Sequence, residues 1–153
     1  MSMLNILKAI VLLAYCGIHN TYAASDSAEL PYVHSLKYFE WSHRVLLIDI
    51  KQPSHALLTT LEQHSNKIDN RDIVWFVFSN SKVVSNSANT FSQPAAKEIR
   101  EKLFKNKTEA ILLGKDGGVK VRQSTLDLKA IFNRIDGMPM RINEMIREPN
   151  KRF

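Results

Sequence analysis

Few residues of this 153-residue chain are placed for covalent chemistry. Thiol chemistry has a single candidate, Cys16, which excludes a disulfide within the chain and a four-cysteine zinc site. Ser54 and His55 are a nucleophile type and a base type, but side chains of adjacent residues diverge instead of meeting in a hydrogen bond. Ser54 reads better as a helix cap, and His55 stays a candidate ligand contact. His34, His43, His55 and His64 include no pair four apart, so the spacing predicts no metal site. Gly114-Lys115-Asp116-Gly117-Gly118 has the glycines of a phosphate loop. It lacks the Gly-Lys-Ser/Thr ending and opens into a strand, so a hairpin turn is expected. Met138 and Met140 flank Pro139 and offer either an adaptable contact surface or packing for a last helix. No cofactor is implied by any of these patterns.

The elements that would hold these residues follow from periodicity. Val45 to Ile50 is a near-continuous apolar run, as in a strand covered on both faces. Ser54 then caps a helix over 56–67, with Leu57, Leu58 and Leu61 at helical spacing. Ile73 to Phe78 is the most β-prone segment. Residues 80–93 are polar and read as a loop, with a short extended stretch near Lys82–Val84. Pro94 opens a helix running to Phe104. Ala110 to Leu113 and Val119 to Arg122 flank the Asp-Gly turn as two strands. Ser124 or Thr125 would cap a helix to Asp136 that buries Leu128, Ile131, Phe132 and Ile135, and Gly137 would stop it. A tail helix over 141–148 follows the Met-Pro-Met corner.

Hydrophobic residues make up 44% and charged residues 24%, ordinary for one globular domain and unlike a disordered or fibrous chain. Residues 1–24 contain one charge, Lys8, and an apolar run over 9–18. That run is too short to span a bilayer, which needs roughly twenty residues. A secretory signal cut after Ala23 or Ala24 is the expectation, and it places the protein in the periplasm or outside the cell. An N-terminal core helix or an uncleaved anchor is an alternative. So is a lipoprotein at Cys16, against which Tyr15 speaks because it is not small. Cleavage would leave no cysteine and no membrane span. A polar leader over 25–35, a domain over 36–148 and a tail over 149–153 complete the organisation. The net charge of +6 is uneven: residues 24–96 carry −1 and residues 97–153 carry +6. A basic half suits an acidic partner. Here the bases alternate with Glu98, Glu101, Asp116, Asp127, Asp136 and Glu144, so a solvated face is expected and nucleic acid is not.

The expected order, β-α-β-α-β-β-α with a C-terminal tail helix, is that of a single α/β domain of thioredoxin-like fold, the first strands parallel. Leu112 to Lys120, followed by Ile135-Asp136-Gly137-Met138-Pro139-Met140-Arg141 and Glu144-Met145, resembles a bacterial domain-of-unknown-function family, number 4174. Trp41 to Leu47 and Asn70 to Val74 look like its N-terminal signatures. The resemblance spans about residues 36–147. It implies a thioredoxin-like fold close to peroxiredoxins, similar to domains of animal extracellular matrix and sushi-repeat proteins, and members that are exported. It implies no established reaction.

Thioredoxin-like enzymes carry a reactive cysteine after the first buried strand, where the next helix lowers its pKa. That place holds Lys51-Gln52-Pro53-Ser54-His55, and residues 105–109 contain no proline to face it. Disulfide exchange and peroxide reduction are therefore not expected, and the chain leans away from being an enzyme. The reading is an exported scaffold that binds an unknown protein or envelope partner. Its candidate contacts are Lys51, Gln52, Ser54 and His55 at the old active-site edge, Lys115, Lys120 and Arg122 on the basic hairpin, and Met138, Met140 and Arg141 at the corner. Two alternatives remain: an enzyme of unfamiliar chemistry in the Lys51–His55 cleft, or an accessory role in oxidative stress through a partner's thiol.

Overall fold

The computed structural model describes residues 32–51, 54–80 and 82–149. Cys16, the signal and most of the leader lie outside them, as does Gln52. The frame is a mixed five-stranded sheet: β2 (Arg44–Asp49), β3 (Ile73–Phe78), β4 (Val83–Ser85), β6 (Ala110–Leu113) and β7 (Val119–Gln123). Its spatial order is β4-β3-β2-β6-β7. β2 and β3 are parallel, and β6 runs antiparallel to both β2 and β7. A second, two-stranded sheet pairs β1 (Tyr32–Val33) with β5 (Thr90–Phe91).

Continuous apolar runs become central strands because helices cover both faces of the sheet. Alternate residues divide between the two sides. Val45, Leu47, Phe76 and Phe78 meet α3 (Gln93–Leu103), a 3-10 turn at Leu36–Phe39, and Phe91. Leu46, Ile48, Trp75 and Val77 meet α1 (His55–Gln63), α2 (Ser65–Asp69) and α4 (Leu128–Asp136). The fifth helix, α5 (Pro139–Arg147), follows α4.

The expected caps at Ser54 and Pro94's first-turn position hold: Ser54 accepts from the Leu57 N–H at 3.1 Å, and Pro94 lies in the first turn of α3. Three local readings are corrected. The helix expected over 56–67 breaks at His64 into α1 and α2. Thr60 turns its hydroxyl back onto the Ala56 carbonyl at 2.8 Å, a bond that bends helices. The cap of α4 is Asp127, which accepts from the Ala130 N–H at 2.9 Å, not Ser124 or Thr125. Gln123 pulls that cap into place by accepting from the Asp127 N–H at 3.0 Å. In the loop expected over 80–93 the extended stretch near Lys82–Val84 stands as β4, but β5 was not expected, and Asn86 extends the edge by accepting from the Trp75 N–H at 2.8 Å. The hairpin stands as read: Gly117 N–H donates to the Gly114 carbonyl at 3.0 Å, and Gly117 has φ +73°.

Candidate binding site

Strand register decides which candidate residues meet. Leu113 lies opposite Val45 and Ala110 opposite Ile48, so the 114–118 turn sits at the start of β2. Lys51, Ser54 and His55 follow the other end of that strand. Six residues of strand span about 20 Å, so the hairpin and the Lys51–His55 edge are separate surfaces. Arg122 stands apart from both. It pairs opposite Ile111 and donates to the Leu103 carbonyl, toward the end of α3.

At the hairpin end, α5 closes over the sheet through buried ion pairs. Arg44, 1% exposed, grips Glu144 with both guanidinium nitrogens at 3.1 Å and donates to the Arg71 carbonyl at 2.8 Å. Lys115 Nζ joins Glu144 at 2.9 Å and Asp72 at 2.8 Å. Arg71 holds Asp136 two-pronged at 3.0 and 2.6 Å, with its guanidinium carbon 4.9 Å from the Phe132 ring centre. Arg141, completely buried, reaches the Asn70 carbonyl at 2.8 Å and the Asn70 side-chain oxygen. These bonds tie α4, α5, the β6-β7 turn and the residues before β3 into one corner.

Burial alone would raise the Glu144 pKa, but hydrogen bonds from Arg44 and Lys115 hold it below the ordinary carboxylate value. Asp116 is also lowered, first by its hydrogen bond from Lys120, at 2.6 Å. Both carboxylates are therefore charged at neutral pH, and the corner is an ionic structure.

Beside it opens a cavity of about 370 Å³ between the hairpin and the start of α5. Arg44, Lys115, Lys120 and Arg134 bring positive charge to its walls, Asp116 one negative charge, and Met138, Pro139 and Met140 an apolar flank. Trp41 borders the same end: its N–H donates to the Lys115 carbonyl at 2.6 Å, and its side chain is 70% exposed. Trp41 has φ 63°, the left-handed region that costs a non-glycine residue roughly 1–2 kcal/mol.

The candidate residues thus separate. Lys115, Lys120, Met138 and Met140 meet at the cavity. Met138 is half-buried against the core, and Met140 is 39% exposed. Arg141 is withdrawn from any partner contact by its burial and serves to position α5. Ser54 is occupied as a cap, and Lys51 and His55 are exposed without a side-chain hydrogen bond among the described residues. Sequence reasoning left Arg44, Glu144, Arg134 and Trp41 out of the site. Arg44, Glu144 and Trp41 stand in the motifs that carry the resemblance, which was the available signal. Arg134, on the last turn of α4, had none. Among the described residues no group of three His, Cys, Asp or Glu side chains is placed to hold a metal, and no helix is long and apolar enough to cross a membrane.

A family model described as a domain of unknown function (DUF4174) matches residues 35–144. No curated protein and no solved structure matches the chain.

Proposed function

We propose that this chain, which belongs to the domain-of-unknown-function family DUF4174, is an exported thioredoxin-like domain that acts by binding at the hairpin end of its sheet. The observation that carries the reading is the convergence there of a cationic cavity, an exposed Trp41 and the half-exposed Met140 on a corner held rigid by buried ion pairs. A preformed concave site with an apolar flank and a few fixed charges is what a binding protein needs.

The thioredoxin-like assignment is supported by the order β3-β2-β6-β7, with β6 antiparallel to its neighbours and helices on both faces. Export to the periplasm or beyond is supported by the apolar run over 9–18 and the small residues near Ala24. The non-redox character is supported by composition: Cys16 is the one cysteine, and signal cleavage removes it. The enzyme alternative at Lys51–His55 has less behind it, because the Ser54 oxygen is engaged in capping α1.

The test uses purified mature protein. Insulin reduction and peroxide turnover should stay at background, and robust turnover without an added thiol enzyme overturns the reading. Envelope partners captured by the wild type should be lost with Trp41→Ala and Met140→Ala and kept with Lys51→Ala and His55→Ala. The reverse pattern moves the site to the old active-site edge.

A further inference from the structure

Most cations of the hairpin corner are answered by carboxylates. Lys115 has Asp72 and Glu144, Lys120 has Asp116, and Arg71 has Asp136. Arg134 is different. It lines the cavity, it is exposed, and its side chain makes no hydrogen bond or ion pair among the described residues. Arg44 lines the same cavity from its buried side, and its Nε has no hydrogen-bond partner among the described residues. Glu144 takes both terminal nitrogens of that guanidinium and is shared with Lys115, so what Arg44 leaves open is the hydrogen bond of its buried Nε. Arg44, Lys115, Lys120 and Arg134 line the cavity, and three carboxylates stand against them, Asp116 in the lining and Glu144 and Asp72 beside it, so one positive charge, that of Arg134, is left over for a negative guest.

The start of α5 adds to this. The helix has nine residues, begins at Pro139, and has no side chain capping its first N–H groups. Met138, Pro139 and Met140 present that end to the cavity. Helix N-termini favour anions. The same three residues also make one flank apolar, which a bare inorganic anion would leave unused. The volume, about 370 Å³, lies at the small end of ligand sites.

We propose that this cavity binds a small amphiphilic carboxylate, its head facing Arg134 and Lys120 in the field of Arg44 and its apolar body against Met138, Pro139 and Met140. This rests on the reading of the hairpin end as a binding site and names a ligand class for it. A carboxylate suits the planar fork of an arginine, and the short body suits adaptable methionine side chains.

The experiment titrates the mature full-length chain with hexanoate, hexan-1-ol and inorganic phosphate, read by backbone amide NMR. Hexanoate should give saturable shifts at Gly114, Lys120 and Met140. Hexan-1-ol, with the body but no charge, and phosphate, with charge but no body, should bind far more weakly. Arg134→Ala should weaken hexanoate about tenfold, the effect of one charge-assisted hydrogen bond, and Arg134→Lys should restore part of it. Arg134 is exposed and makes no fold-holding bond, so both variants should melt like the wild type. Absence of saturation, equal binding by Arg134→Ala, or hexan-1-ol or phosphate binding as tightly as hexanoate overturns the proposal. Any of these leaves the partner-binding reading standing, because that is judged by turnover and by capture with the Trp41 and Met140 variants.

Discussion

Arg44 and Glu144 are a hundred positions apart in the chain and meet in a two-pronged ion pair, each contact 3.1 Å. The pair joins the first residue of the central strand to the middle of the last helix, inside the core's edge. Everything proposed for the hairpin end depends on it, because it sets where α5 and its methionines stand relative to the turn.

Glu144→Ala should destabilise the protein by about 3–5 kcal/mol in urea unfolding, since it leaves Arg44 buried without its counter-charge. The exposed pair Lys102–Glu98 is the control. Exposed i,i+4 pairs contribute little, and Glu98→Ala should leave the midpoint nearly unchanged.

Acid should unfold the protein partly through the same residue. Glu144 is held below its ordinary value of 4.5, so the unfolded chain takes up its proton at a higher pH than the folded one. Its contribution to stability is complete above about pH 4.5 and is lost as pH falls through the lower folded value. Melting temperatures from pH 7 to pH 3 should fall in that window, and the fall should be shallower in Glu144→Gln. An equal slope in both proteins contradicts the assignment.

Gly117→Val should cost about 1–3 kcal/mol, because φ +73° is strained for a β-branched residue. An added Cβ would also come 2.7 Å from Glu40 Oε1, a contact the flexible carboxylate can relieve by moving. Gly117→Asn, which tolerates left-handed backbone, should cost less. Equal melting temperatures for valine and glycine would contradict the turn.

Met138→Ala and Met140→Ala should differ. Met138 packs against the core formed by α4 and the sheet, so its loss should cost about 2 kcal/mol, the low end for a buried methionine. Met140 is half-exposed and lies outside both core clusters, so its loss should cost less than that of Met138, about 1 kcal/mol at most, while weakening whatever binds the cavity. Denaturant midpoints of the two variants separate the packing role from the contact role.

Trp41→Gly should leave stability unchanged or raise it slightly, because glycine adopts φ 63° without strain and keeps the N–H bond to Lys115. A large loss would mean that the exposed indole holds the fold.

Much of the frame was legible in sequence for reasons local to each segment. The apolar runs 45–50 and 73–78, the stripe of Leu128, Ile131, Phe132 and Ile135, the Ser54 cap and the Asp-Gly turn each depend on residues within a turn or a pleat of one another. Periodicity and short-range hydrogen bonding act over that distance. Where a neighbour a few places away competed, the reading slipped. The helix break at His64, one turn after the Thr60 hydroxyl engages the Ala56 carbonyl, and Asp127 displacing Ser124 or Thr125 as cap are two such cases.

The sequence by itself determined the lone cysteine, the apolar N-terminal run, the strand and helix types and the motifs of the family. What only the tertiary structure decided is which charges are buried and which surfaces are shared. The β2-β6 register puts Lys115 at the opposite end of the strand from His55, and chain folding brings Glu144 to Arg44 across a hundred residues. Spacing along a chain has no information about such encounters, because a charge's cost and value depend on the dielectric and partners that packing supplies. Arg141 reads in sequence as one more surface base, and burial of that face of α5 against Asn70 makes it a strut instead.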